Sequence, residues 1–210
     1  MIEKKAVTSL PINELAAWRW SCRAFDITKP VEKEKIIAIC EAGRWAPSCG
    51  NDQPWRFIIF NKLYNKQDYE KAFSCLSASN QNWVANAPVL IAAAADTKFL
   101  KERTDNRWGQ FDTGAACMNM YLEAVSQGLM AHPMGGFDEE KLRQSFNIPD
   151  DFIPMAMIAV GYQAEADVMP ENKRDKELAP RKRHELGECF FAGVWGKAIN
   201  STDDYNSSDD

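Results

Sequence analysis

Histidine is scarce in this chain: His132 and His184 are the two present in 210 residues. Histidine-built metal centres and most nucleophile–histidine–acid arrangements are correspondingly disfavoured. The six cysteines, Cys22, Cys40, Cys49, Cys75, Cys117 and Cys189, include no C-x-x-C pair. That argues against zinc, iron–sulfur clusters and a disulfide framework, and no metal site is expected. Basic residues are outnumbered, with 25 Lys and Arg against 30 Asp and Glu for a net charge of −5. An acidic chain offers no broad surface to nucleic acid, so any anion site must be local. The sequence lacks an apolar run of the roughly 20 residues that span a bilayer, and MIEKKAVTSL lacks the apolar stretch of a signal peptide, so a cytoplasmic protein is expected. Missing too are G-x-G-x-x-G, G-x-x-x-x-G-K-[ST], H-E-x-x-H and G-x-S-x-G.

Hydrophobic residues make up 45% of the chain, enough for one substantial core. A single domain over residues 1–200 is expected, with the polar NSTDDYNSSDD end leaving 201–210 as a disordered tail. Helical spacing appears in LPINELAAWRW, with Asn13 as N-cap, and in PVEKEKIIAICEAGRW before Pro47. PWRFIIFN reads as a strand, residues 66–76 as a helix, and APVLIAAAAD as a strand buried on both faces. Residues 110–128 then form a long helix, apolar nearly all round, with Gly128 capping its end. LMAHPM and PMAMIAVGY supply two more strands around the helix DEEKLRQSF. Residues 163–184 read as a long surface connection and 185–199 as a segment docking on the core or on a partner. Helices alternating with buried strands imply an α/β sheet between helical layers, and the apolar central helix suggests a homodimer core.

Four polar clusters lie near the ends of these elements. In the first, Arg19, Ser21 and Arg23 alternate with Trp20, Cys22 and Ala24, whether the chain is extended or helical there. Two guanidiniums and a hydroxyl suit a phosphate; a solvated helix end is the other reading. The second, APSCGNDQPWRF, is an irregular loop carrying Ser48, Cys49, Asn51 and Gln53, either ligand-facing or self-satisfying. AHPMGGFD is the third, in which Gly135 and Gly136 permit close backbone approach beside Pro133 and Met134, unless it is a plain strand-to-helix turn. PRKRHEL, the fourth, repeats the alternation at Arg181 and Arg183, where a solvated charge run is the ordinary explanation.

In this order and spacing the clusters resemble the FMN-dependent nitroreductase family. Its opening R-x-S-x-[RK]-x-F is matched by Arg19, Ser21, Arg23 and Phe25, and its P-S-[SC]-x-N-x-Q-P-W loop by residues 47–55. AHPMGGFD resembles its late P-x-x-G-F turn and PRKRHEL its [RK]-x-R element. The resemblance, covering residues 12 to about 197, implies a three-layer α/β/α sandwich with a mainly antiparallel mixed sheet, in an intertwined homodimer with an FMN site at each interface. It implies that Arg19, Trp20, Ser21, Arg23, Arg181 and Arg183 surround the FMN phosphate and ribityl end. Pro47, Ser48, Cys49 and Asn51 would come from the second subunit, and Pro133, Met134, Gly135 and Gly136 would lie along the flavin ring, with Asn80 or Asn82 nearby. The implied activity is ping-pong hydride transfer from NAD(P)H to a nitroaromatic or quinone-like acceptor, with no obligate catalytic side chain and with solvent supplying protons. The chain departs from the family at Trp20, where many members are basic, and at Gly135, where well-known nitroaromatic-reducing members carry Glu. Two other outcomes are weighed: specialised flavin chemistry, for which residues 97–109 are the candidate lid, and a flavin-binding protein without turnover.

Overall fold

The computed structural model describes residues 2–201 and 204. Most of the expected tail at 201–210 therefore lies outside the described residues. Contacts group the chain into two compact units, Met1–Ala179 and Pro180–Asp210.

The first unit is built on a four-stranded sheet of order β1-β2-β4-β3, comprising β1 (Trp55–Asn61), β2 (Val89–Asp96), β3 (Met130–Met134) and β4 (Phe152–Gly161). All three ladders are antiparallel, pairing Phe57 with Ala93, Ile91 with Ile158, and His132 with Ala159. Strand β2 is buried along its whole length, as its unbroken apolar run requires of a strand covered on both faces. Its side chains alternate between two cores. Val89, Ile91 and Ala93 face α2 (Lys33–Arg44) and α5 (Gly109–Ser126), packing with Ile39, Cys117 and Met120. Leu90 and Ala92 join Tyr69 of α3 (Lys66–Ser74), Trp83 of α4 (Ala78–Val84) and Leu142 of α6 (Glu139–Phe146) on the other side. Helices on both faces give the three-layer sandwich. The absence of a proline or glycine break in β2 and β4 interiors is compatible with this central position, Pro154 excepted; there the β2–β4 register shifts between Ala93 and Ala94.

Caps follow the local chemistry. Asn13 Oδ1 accepts from the Leu15 N–H at 2.9 Å to start α1 (Glu14–Trp18), and Asp138 Oδ1 accepts from Lys141 N–H at 2.9 Å to start α6. Gly128 takes φ 76° just beyond α5, where a left-handed residue ends the helix.

Two elements depart from the sequence-based expectation. Helix α4 forms from the polar stretch ASNQNWV, in which Trp83 and Val84 supply the buried anchor. The expected surface connection at 163–184 instead contains α7 (Glu171–Leu178), which buries Glu177. A helix whose one buried residue is an acid leaves no apolar period for the sequence to display. The second unit holds α8 (Leu186–Cys189), with a reciprocal capping box of Glu185 and Glu188, and an isolated bridge between Phe191 and Ala198.

Candidate functional site

Helix α1 ends at Trp18, and the chain leaves it extended at Arg19, with φ −60° and ψ 122°. Period-2 geometry then sorts the side chains. Trp20, Cys22 and Ala24 are buried while Arg19, Ser21 and Arg23 remain partly exposed on the other side. Of the two conformations the alternation allowed, the extended one is adopted. Trp20 accordingly points into the core, with the Lys4 ammonium 4.5 Å from its ring centre, so its indole is not on the side of the arginines. The segment runs beside the chain that follows β4: Asp26 N–H donates to the Tyr162 carbonyl and Ala164 N–H to the Ala24 carbonyl, each at 2.9 Å.

Strand β3 braces it from another direction. His132 Nδ1 lies 2.8 Å from the Cys22 carbonyl oxygen, which fixes that nitrogen as the protonated one in the neutral ring. Burial first, and the charge of Arg23 after it, pull the imidazole down to about 4, against the opposing effect of the Cys22 carbonyl. The ring packs at 4.5 Å on Trp83, and the Arg23 guanidinium lies 6.0 Å from the same indole. Trp83 Nε1 donates to Asn80 Oδ1 at 3.2 Å, and Asn80 Nδ2 donates to the Gly136 carbonyl at 2.9 Å. Arg23, Trp83, His132, Asn80 and the glycine turn are thus one connected neighbourhood. Asn82, the other candidate in SNQNW, is exposed on α4. A Cβ on Gly136 would sit 2.9 Å from both Asn80 Nδ2 and Ser77 Oγ, whereas one on Gly135 meets nothing within 4 Å. Gly135 is therefore an exposed, open stretch of backbone behind which Met134 is buried and Pro133 half-buried.

The loop after α2 is separate from this neighbourhood. Gly50, Asn51 and Gln53 all take φ between 52° and 60°. Its amides are largely spoken for: Cys49 N–H donates to Asp112 Oδ2 at 3.0 Å and Gln53 N–H to Ser48 Oγ at 3.0 Å. Pro47, Cys49 and Asn51 nonetheless present exposed surfaces, and a shallow pocket joins Pro47, Ser48 and Cys49 to Trp108 and Phe111. Asp112 stands in the first turns of α5, while Arg19 lies close enough to Tyr121 to oppose the effect of burial on its phenol. Nine residues of helix, about 13 Å at 1.5 Å per residue, separate those two points. The candidate lid at 97–109 is anchored at several points. Leu100 N–H donates to Asp52 Oδ1 at 2.8 Å, and Arg103 bonds Asp96 and Asp151 at 3.1 and 2.5 Å.

Arg181 and Arg183 belong to the second unit, where Arg183 is exposed and its Nη1 donates to the Lys182 carbonyl at 2.7 Å. Sequence reasoning missed Glu177. It is 0% exposed and lies under the first cluster, with Oε1 accepting the N–H groups of Arg23 and Ala24 at 2.8 and 3.1 Å. One weak signal existed, a Glu near the end of a charged stretch, and it is indistinguishable in composition from its solvated neighbours. Chemically, the site combines two guanidiniums and a hydroxyl on one side of an extended segment with a nearby open glycine turn. That set suits a ligand with an anionic end and a flat body. Among the described residues no cluster of three or more His, Cys, Asp or Glu suited to a metal is found, and no helix is long and apolar enough to cross a membrane.

Residues 16–162 match the sequence pattern of the Nitroreductase family. A Ralstonia nicotianae protein provisionally named NADH dehydrogenase/NAD(P)H nitroreductase is 30% identical over 167 residues, covering 70% of this chain and 84% of its own. A solved structure described as an oxidoreductase containing FMN is 32% identical, with a TM-score of 0.85 over 90% of this chain and 95% of the other. A nitroreductase family protein of Clostridium difficile 630 superposes with a TM-score of 0.67 at 25% identity, covering 88% and 99% of the two chains. The matched pattern takes in the arginine–serine segment, the irregular loop and the glycine turn within one sandwich, and the chain belongs to the nitroreductase family of oxidoreductases.

Proposed function

We propose that this protein binds FMN and passes reducing equivalents from NAD(P)H to a small organic acceptor, a nitroaromatic or a quinone, in alternating half-reactions. The observation that carries the reading is the burial alternation at residues 19–24, which leaves Arg19, Ser21 and Arg23 on one accessible side. The donor set fits FMN: guanidinium forks and a hydroxyl match the oxygens of a phosphomonoester, and the open face of Gly135 leaves room for a planar ring. When bound, FMN supplies the hydride chemistry, which no side chain here can provide.

The protein's own residues bind and orient. Arg19, Ser21 and Arg23, joined by Arg181 and Arg183, hold the phosphate and ribityl end. Trp20 contributes through its backbone and through the packing that sets the segment's register. Pro133, Met134, Gly135 and Gly136 back the ring, and Asn80 acts by fixing the Gly136 carbonyl. The exposed Pro47, Ser48, Cys49 and Asn51 loop serves the site of a second subunit, with residues 1–200 as one functional domain. No acid or base is assigned, and solvent supplies protons at an open site.

Purified protein is expected to be yellow and to bleach anaerobically with NADH or NADPH. Bound FMN left oxidised by both would reject the reading. Replacing Arg19 and Arg183 together by Ala is expected to give a folded, flavin-depleted protein, and stoichiometric FMN in that variant would refute the phosphate assignment.

A further inference from the structure

We infer that Glu177 is a positioning residue for the phosphate-facing side chains Arg19, Ser21 and Arg23, an inference that rests on the FMN reading above. The carboxylate is fully buried, while its helical neighbours Asp175, Lys176 and Leu178 are exposed. Burying a carboxylate is costly unless hydrogen bonds and a counter-charge compensate it. Both compensations come from one place, the segment that carries the first cluster.

Glu177 Oε1 accepts two successive backbone donors, Arg23 N–H at 2.8 Å and Ala24 N–H at 3.1 Å. Successive amides of a regular extended chain point to opposite sides, so one oxygen collecting both defines the backbone here more tightly than a ladder bond. Glu177 Oε2 makes no hydrogen bond and sits 3.7 Å from Arg23 Nη1. Its charge therefore draws the guanidinium back toward the segment while the backbone clip fixes where the side chain starts. The main chain of α7's end is bonded as well: the Lys4 ammonium donates to the Glu177 carbonyl and, at 2.7 Å, to that of Ala179. His132 bonds the carbonyl of Cys22, one residue earlier, at 2.8 Å. Three consecutive residues, Cys22, Arg23 and Ala24, are thus held from two elements, and the flanking Arg19 and Ser21 share the register this sets.

A negative charge near an anion site also repels the anion, so the clip and the charge act in opposite directions on phosphate affinity. Substitution separates them. Glu177→Gln keeps an oxygen for the two amides and removes the charge; Glu177→Ala removes both; Glu177→Asp keeps a carboxylate of shorter reach. FMN and riboflavin, which differ by the phosphate, are titrated by fluorescence quenching into flavin-free wild type and into each variant confirmed folded by circular dichroism. The preference for FMN over riboflavin is expected to fall about tenfold or more in the Ala and Asp variants, with riboflavin affinity changed less than about threefold, and to stay at or above the wild-type value in the Gln variant, which keeps the clip and loses the repelling charge. Wild-type preference in folded Ala or Asp variants overturns the inference, as does a Gln variant as impaired as the Ala variant. If neither the Ala nor the Asp variant yields folded apoprotein, Glu177 is an architectural residue and the inference also fails. Wild-type protein that binds riboflavin as tightly as FMN would instead overturn the phosphate reading itself.

Discussion

His132 illustrates how much a single side chain's charge owes to its surroundings. Its imidazole is 8% exposed and bonded through Nδ1 to the Cys22 carbonyl, with its titration pulled from 6.5 to about 4. The folded protein keeps this ring neutral above pH 4, whereas the unfolded chain takes up the proton below about 6.5. Stability from His132 is therefore complete above pH 6.5, is lost progressively as pH falls toward 4, and is then constant, a total of about 3 kcal/mol. Urea unfolding of wild type and His132→Gln between pH 7.5 and 4 tests this: the wild-type advantage is expected to shrink by about 1–3 kcal/mol on acidification. A gap independent of pH would contradict it. At this scale the sequence made Arg19, Ser21 and Arg23 conspicuous through their spacing. It could not distinguish a ligand-facing arginine from a solvated one, nor reveal that Glu177 is buried beneath them, since both depend on what packs behind the backbone.

The turn from β3 into α6 is a unit in which adjacent glycines have different jobs. Gly136 is crowded by Asn80 and Ser77, and its carbonyl accepts both Asn80 Nδ2 and the Ser77 N–H at 2.9 Å. Gly135 faces open space. Gly136→Ala is expected to displace the Asn80 amide and cost about 1–2 kcal/mol, whereas Gly135→Ala should stay within about 0.5 kcal/mol. Thermal melts of the flavin-free variants check the contrast, and equal losses would refute it. Elements with long apolar runs, such as β2 and α5, were legible with their ends within a few residues. Helices α4 and α7 were not, because each is held by one or two anchoring residues in a polar stretch and tertiary packing supplies what propensity does not. The segment at 97–109 illustrates the same limit. Its composition allows a lid, but the capture of Leu100 N–H by Asp52 and of Arg103 by Asp96 and Asp151 ties it to the body.

At the scale of the whole molecule, the apolar surface around α5 requires a partner on the proposed reading. Phe111 and Met118, two helical turns apart on α5, are 74% and 38% exposed, Trp108 beside Phe111 in the shallow pocket is 41% exposed, and Trp45 at the end of α2 is 75% exposed, large apolar surfaces of the kind that an interface covers. Phe111→Glu is expected to shift the protein from dimer toward monomer at micromolar concentration in sedimentation velocity and to lower its flavin content in parallel. A wild-type protein that sediments as a monomer with full flavin would refute the interface site. The sequence by itself determined the sandwich, because unbroken apolar strands alternating with periodic helices admit few ways to bury their faces. It also determined the positions of the polar clusters, because turn-forming residues and alternation are local properties. Only the tertiary structure decided that the arginine segment is extended, that Trp20 faces inward, that Asn80 rather than Asn82 holds the glycine turn, and that a buried glutamate 154 residues away along the chain clips Arg23. Those outcomes depend on contacts between residues distant in sequence, whose free energies have no signature in any window of the chain.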